Sequence, residues 1–123
     1  MKDFVVPEGS FVSLPTMWGF DLPAEDLKRM FLLHFRFKYF AEQAFQDGED
    51  VRRCYYESQE TLCGLFGMSE TSRSKVSKFL KRMEEAGYVS IIREKVMLYG
   101  SLKPRHYIVV NDPVLLKKYN LAS

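Results

Sequence analysis

Residues 72–89, SRSKVSKFLKRMEEAGYV, carry Arg73, Lys75, Lys78, Lys81 and Arg82 before their first acid, Glu84. At about 100° per residue, Val76, Leu80 and Met83 fall on one side of a helix, with Phe79 beside them. Ser74, Lys78 and Lys81 fall on the opposite side. Lys75 and Arg82 occupy one flank, Arg73 and Ser77 the other. A merely solvated helix this charged would interleave Glu with Lys at i,i+4. Here the acids wait until Glu84 and Glu85, at the C-terminal end, where they oppose the helix dipole. Gly87 supplies the left-handed stop, so a helix is expected over 72–86.

Working outward, Ser58 is a good N-cap, followed by Gln59 and Glu60, and the helix QETLCGLF ends at Gly67, giving 58–66. Downstream, YVSIIREKVMLY, GSLKPR and HYIVVN read as strand, loop and strand over 88–111, with Gly100 and Pro104 punctuating the loop. Asp112-Pro113 opens a short helix, 113–119. Upstream, RRCYYESQ gives a short strand through Cys54 to Tyr56. Asp21 can cap and Pro23 suits the first helical position, so a long helix runs over 22–46 and stops at Gly48. The opening 1–20, with Pro7, Gly9 and Pro15, reads as an extended arm with short strands and no helix.

The long helix has two apolar stripes. Leu27, Met30, Phe31, Leu33, Phe37, Ala41, Ala44 and Phe45 make one, while Leu32, Phe35, Tyr39 and Phe40 make another on other sides. A helix apolar nearly all round is covered on more than one side. Two covers are open for the second stripe: the N-terminal arm, or a second copy of the chain in a homodimer.

The run SQETLCGLFGMS…SRSKVSKFLKRMEEAGYV resembles the winged helix-turn-helix of bacterial, plasmid and phage regulators and replication proteins, closely over Tyr56 to Glu94. The shared pattern is a Ser-capped helix, a Gly turn, a recognition helix beginning Ser-Arg, and an acid with a Gly before the wing. Leu62 and Phe66 face the core, and Cys63 stands where a small residue lets the helices cross closely. FVSLPTMWGFDLPAEDLKRMFLLHF…YYESQETLCGLFGMS is also similar to the helix-turn-helix domains of plasmid and phage replication proteins. The resemblance implies an α+β, mainly α fold: a winged helix-turn-helix with a long first helix, a β-hairpin wing and a short C-terminal helix. The chain departs from the pattern by three extra residues after Gly67. Either MSET is a longer loop or Ser69 caps an extra helical turn, and this decides whether Ser69, Glu70 and Thr71, or Ser72 and Arg73, lead into a DNA groove.

Side-chain chemistry then assigns roles on double-stranded DNA. Arg73, able to form a bidentate fork, suits guanine; Ser74, Ser77 and Lys78 suit other base edges. Lys75, Lys81 and Arg82 suit phosphates, and Lys103 and Arg105, expected at the wing tip, suit phosphate or minor-groove contact. At 123 residues with a net charge of +2, the chain fits one domain whose charge permits nucleic acid only if its cations are clustered. Cys54, Cys63, His34 and His106 show neither metal-ligand spacing nor a disulfide framework. Asp21, Glu25 and Asp26 read as capping and dipole residues. No paired carboxylates, phosphate loop or Cys/His pair suggests an enzyme or a cofactor. Without a signal-like or membrane-length apolar run, a cytoplasmic protein is expected. The rival reading is a module that keeps the fold and binds protein through its surplus aromatics.

Overall fold

The computed structural model describes residues 4–121; the first three residues of the expected arm lie outside these. Five α-helices and one antiparallel hairpin follow in the order α1 (Thr16–Asp21), α2 (Ala24–Gln46), α3 (Gln59–Leu65), α4 (Arg73–Glu85), β1 (Val89–Leu98), β2 (Ser101–Val110) and α5 (Pro113–Lys118). Short 3-10 turns sit at Val51–Arg53 and Glu70–Ser72. The fold is α+β and mainly helical.

One core joins all the layers. From α2, Met30, Leu33, Phe37 and Ala41 are fully buried, and they meet Leu62 and Cys63 of α3, Val76 and Phe79 of α4, and Val89 and Val110 of the hairpin. These α2 residues sit three, four and four apart, which is the first stripe read from the sequence. Phe31 and Phe45, assigned to the same stripe, remain 41% and 44% exposed. On α4 the buried line is Val76, Phe79 and Met83, whereas Leu80 is only half-buried. Phe79 therefore takes the central place that spacing gave to Leu80, packing edge-on to Phe66 at 5.5 Å.

Helix ends follow local chemistry. Ser58 Oγ accepts from the Thr61 amide at 3.1 Å, as its capping position predicts. Gly67 and Gly87 have φ of 72° and 86°, and Met68 N–H donates to the Cys63 carbonyl as Tyr88 N–H does to that of Met83. Both are Schellman stops, which need a left-handed residue at that place.

Four expectations are corrected. The arm contains α1, because Trp18 buries itself against Tyr88 and His34 edge-on, at 5.5 and 6.4 Å. No short strand forms in the described arm. Asp21 ends α1 rather than capping α2, and the N-cap of α2 is Pro23. Leu22, preceding proline, is driven to extended backbone (φ −100°, ψ 138°) and separates the two helices. Residues 54–56 are not a strand: the Tyr55 carbonyl accepts one bond from Ile108 N–H. Burial of the Tyr55 ring, stacked on Phe40 at 5.6 Å, holds the segment. Finally, GSLKPR is not a loop. The hairpin closes at Tyr99-Gly100, and Pro104 lies inside β2 opposite Lys95. A two-stranded sheet has an unpaired edge on each strand, where proline's missing N–H costs no ladder bond.

Candidate nucleic-acid interface

The outer face of α4 gathers three lysines that are unpaired among the described residues. Ser74, Lys75, Lys78 and Lys81 are all exposed. Lys75, Lys78 and Lys81 enter no ion pair among the described residues. Helical spacing places Ser74, Lys78 and Lys81 together, with Lys75 on a flank. The opposite side, from Val76 to Met83, anchors the helix in the core.

The arginines have other employment. Arg82 makes a two-pronged contact with Asp26 of α2, at 2.7 and 3.2 Å. Asp26 also has Arg29 at 3.6 Å. This carboxylate is buried, and it holds Arg82 above its ordinary pKa. Arg82 is therefore a brace between α2 and α4, which sequence reasoning gave to phosphate. Arg93 of β1 grips Glu84 in the same way, at 2.7 and 2.8 Å, which lowers the Glu84 pKa. Glu84 thus ties α4 to the hairpin.

Arg73, the first residue of α4, lies 3.5 Å from Glu60 with both side chains more than half exposed. Such a pair is weak and easily exchanged, so the guanidinium can leave for a stronger anion. Ser77 is half-buried and accepts a hydrogen bond from the Gln59 amide nitrogen, which ties the start of α3 to the middle of α4. The extended turn resolves as a 3-10 turn at Glu70–Ser72 that runs directly into α4, with Ser69 at its N-cap position. Its cap is not made by the Ser69 side chain, whose Oγ pairs instead with Thr71 Oγ1 at 2.7 Å. Thr71 is exposed and Ser72 half-buried. Glu60 and Glu70 flank this leading end, so the positive potential is centred further along, at Lys75, Lys78 and Lys81.

Lys103 and Arg105 are within β2, not at a loop tip. Lys103 is exposed and pairs across the hairpin with Val96. Arg105, opposite Glu94, lays its guanidinium 4.0 Å over the Tyr56 ring, a cation–π contact that keeps it close to the body of the fold. A groove of about 300 Å³ separates α4 from the hairpin root, lined by Gln59, Ser77, Lys81, Arg93 and His106 among others.

The four residues of the second α2 stripe do not form one surface. Phe40 turns inward onto Tyr55 beneath Arg36, whose guanidinium is 5.0 Å from the Phe40 ring. Leu32 and Phe35 are half-buried and Tyr39 is 46% exposed. The arm runs beside them: Val6, Ser10, Phe11 and Val12 share a cleft with Phe31, Leu32 and Phe35. An open cavity of about 340 Å³ continues along Phe35 and Tyr39. Phe11 itself is 82% exposed, so the arm adds apolar surface there as well as covering it.

The buried roles of Asp26 and His34 were missed in the sequence, although their spacing carried a signal. Both residues lie four positions from Met30, one before and one after, on the buried side, where a polar residue needs a partner. His34 Nε2 is 2.8 Å from Asp112 Oδ2, and Asp112 Oδ1 accepts from Val114 N–H to cap α5. Burial is the largest influence on His34 and lowers its pKa, against the raising effect of Asp112. Neutral His34 must then donate through Nε2, which leaves Nδ1 as a bare acceptor; it has no partner among the described residues. Burial pushes the Cys54 thiol up to about 11, so it is protonated and unreactive at neutral pH. Among the described residues no group of His, Cys, Asp and Glu is arranged to hold a metal, and no helix is long and apolar enough to cross a membrane. Comparison with protein-family models, with curated proteins and with solved structures finds no match.

Proposed function

We propose that the protein binds double-stranded DNA as a winged helix-turn-helix, with α3 and α4 as its helix pair, α4 as the recognition helix and the β1–β2 hairpin as the wing. The observation that carries this reading is the separation of cations by type. Arg82 of α4 and Arg93 of β1 are spent on carboxylates that hold elements together, while Lys75, Lys78 and Lys81 project unpaired among the described residues. Like charges crowded on one face cost stability unless an anion arrives to meet them. Arg73, weakly held by Glu60, is the base-reading candidate, supported by Ser74 and Lys78; Lys75, Lys81 and Lys103 meet phosphates.

The protein acts as a binder, not an enzyme, and serves as a transcriptional regulator or as a plasmid or phage replication or maintenance protein. The apolar strip formed by exposed Phe11, Phe31 and Tyr39 with half-buried Phe35 supports a homodimer, which would read a pseudo-palindrome with half-sites about one helical turn apart. The same strip favours the second reading, a protein-binding adaptor with the same fold. Selection of bound sequences from a random duplex pool separates the two. A two-fold-symmetric motif, with affinity falling steeply as salt rises, is the expected result. A chain that retains no duplex even in dilute buffer refutes DNA binding and leaves the adaptor.

A further inference from the structure

The distal half of the hairpin carries side chains that the fold does not use. Tyr99 and Gly100 are the central residues of its turn, and both have positive φ, 51° and 81°. That is the type I′ pattern, whose first place favours Asn, Asp or Gly. A larger side chain in the left-handed region crowds the following carbonyl. Strain of this kind persists where surroundings or function enforce it. Packing does not enforce it here, because Tyr99 is fully exposed, at 104%. Met97 and Leu102 face each other across the second pair from the turn, 64% and 59% exposed. A hairpin that needed only to close would carry a short polar residue at position 99 and no apolar pair behind it.

Charge indicates what this tip meets. No acid occurs from Lys95 to His106, and Lys95 and Lys103 enter no ion pair among the described residues. Lys95 lies opposite Pro104, and Lys103 opposite Val96. Residues alternate between faces along a strand, so the two lysines stand on opposite faces of the blade, with the apolar tip beyond them. A flat partner would meet one face only. A groove with a wall of phosphates on each side meets both.

On the DNA reading above, we infer that the hairpin tip is an apolar wedge. Tyr99, with Met97 and Leu102 behind it, enters a minor groove and partly unstacks one base step, while Lys95 and Lys103 hold the phosphates on either side. Aromatic and apolar side chains inserted this way kink a duplex by about 20–90°. The wedge thus adds bending to the phosphate contact expected of wing cations, and lets the protein prefer flexible steps it does not read by hydrogen bonds.

The test uses the full chain and an end-labelled duplex of about 30 base pairs with several TA steps, which unstack easily. Binding is read by anisotropy and bending by energy transfer between the ends. Wild type should bind and raise the transfer. Tyr99→Asn should bind about tenfold more weakly and bend far less, and Met97→Ser/Tyr99→Asn/Leu102→Ser should not bend at all. Asn suits the turn, so Tyr99→Asn should melt at or above the wild-type temperature, which separates loss of the wedge from loss of fold. Bending by the triple variant equal to wild type, or binding by wild type without any bend, overturns the wedge and leaves the DNA reading intact. If wild type ignores the duplex at low salt, both fall. If it instead sediments with anionic phospholipid vesicles through Tyr99, the tip is a membrane contact and the inference is overturned.

Discussion

Arg82 distinguishes a helix held by its arginines from one that spends them on DNA. Arg82→Met keeps most of the hydrocarbon stem and removes the charged guanidinium, whose carbon lies 5.9 Å from the Phe79 ring centroid. Breaking a fully buried ion pair costs about 3–5 kcal/mol, and an exposed pair contributes about 0–1. The Arg82–Asp26 contact lies between, with side-chain exposures of 53% and 7%. Arg29, 3.6 Å from the same carboxylate, partly compensates after the loss. A destabilisation of about 1–2.5 kcal/mol follows, read as a lower urea midpoint with unchanged m-value. In a double-mutant cycle with Asp26→Asn the coupling should be about 1 kcal/mol. Duplex affinity at temperatures where the variant is folded should change less than for Lys78→Ala. An unmoved urea midpoint, together with a duplex affinity lost as fully as in Lys78→Ala, would overturn the brace and return Arg82 to the phosphates.

Lys78→Ala and Lys81→Ala should each weaken binding and flatten the slope of log affinity against log salt by about 0.9; Lys81→Ala should do so on every sequence alike. Arg73→Ala should instead cost about 1–3 kcal/mol and blur preference at one base, measured by repeating the pool selection. His34 titrates below its ordinary value in the fold, so the unfolded chain binds more protons on acidification. Stability should therefore be intact above about pH 6.5 and decline as pH falls toward the lowered folded value; His34→Gln should remove that decline in urea titrations at stepped pH. Phe35→Ser/Tyr39→Ser should shift sedimentation to the monomer without a large change in melting temperature, and a wild-type chain already monomeric at high concentration would count against the dimer.

What the sequence made legible was local. Ser58, Gly67 and Gly87 act through bonds to residues a few positions away, so their caps and stops can be read from the chain directly. The apolar spacing of Met30, Leu33, Phe37 and Ala41 is equally local, and it named the core of α2 correctly. Less legible was anything set by distant partners. Asp26 looked like a dipole residue because its guanidinium partner is 56 positions away. α1 was hidden because six residues around a Gly are too few to show a period, and Trp18 is helical by virtue of its burial. Gly100 and Pro104 resembled the two ends of a loop, yet only the first lies in a turn. Pro104 is tolerated by an unpaired strand edge that composition does not reveal. On the candidate interface, the outward direction of Lys78 and Lys81 was legible from periodicity, whereas the diversion of Arg82 to Asp26 and Arg105 to Tyr56 was not.

The division of labour on α4 also bears on how such a protein can change its target. Side chains that seat the helix (Val76, Phe79, Arg82 and Met83) are distinct from those that face outward at Ser74, Lys75, Lys78 and Lys81. If α4 reads DNA as proposed, new preferences can be explored on the outward set with little risk to folding, and the same scaffold can drift between operators or be reprogrammed by a small library at those four places.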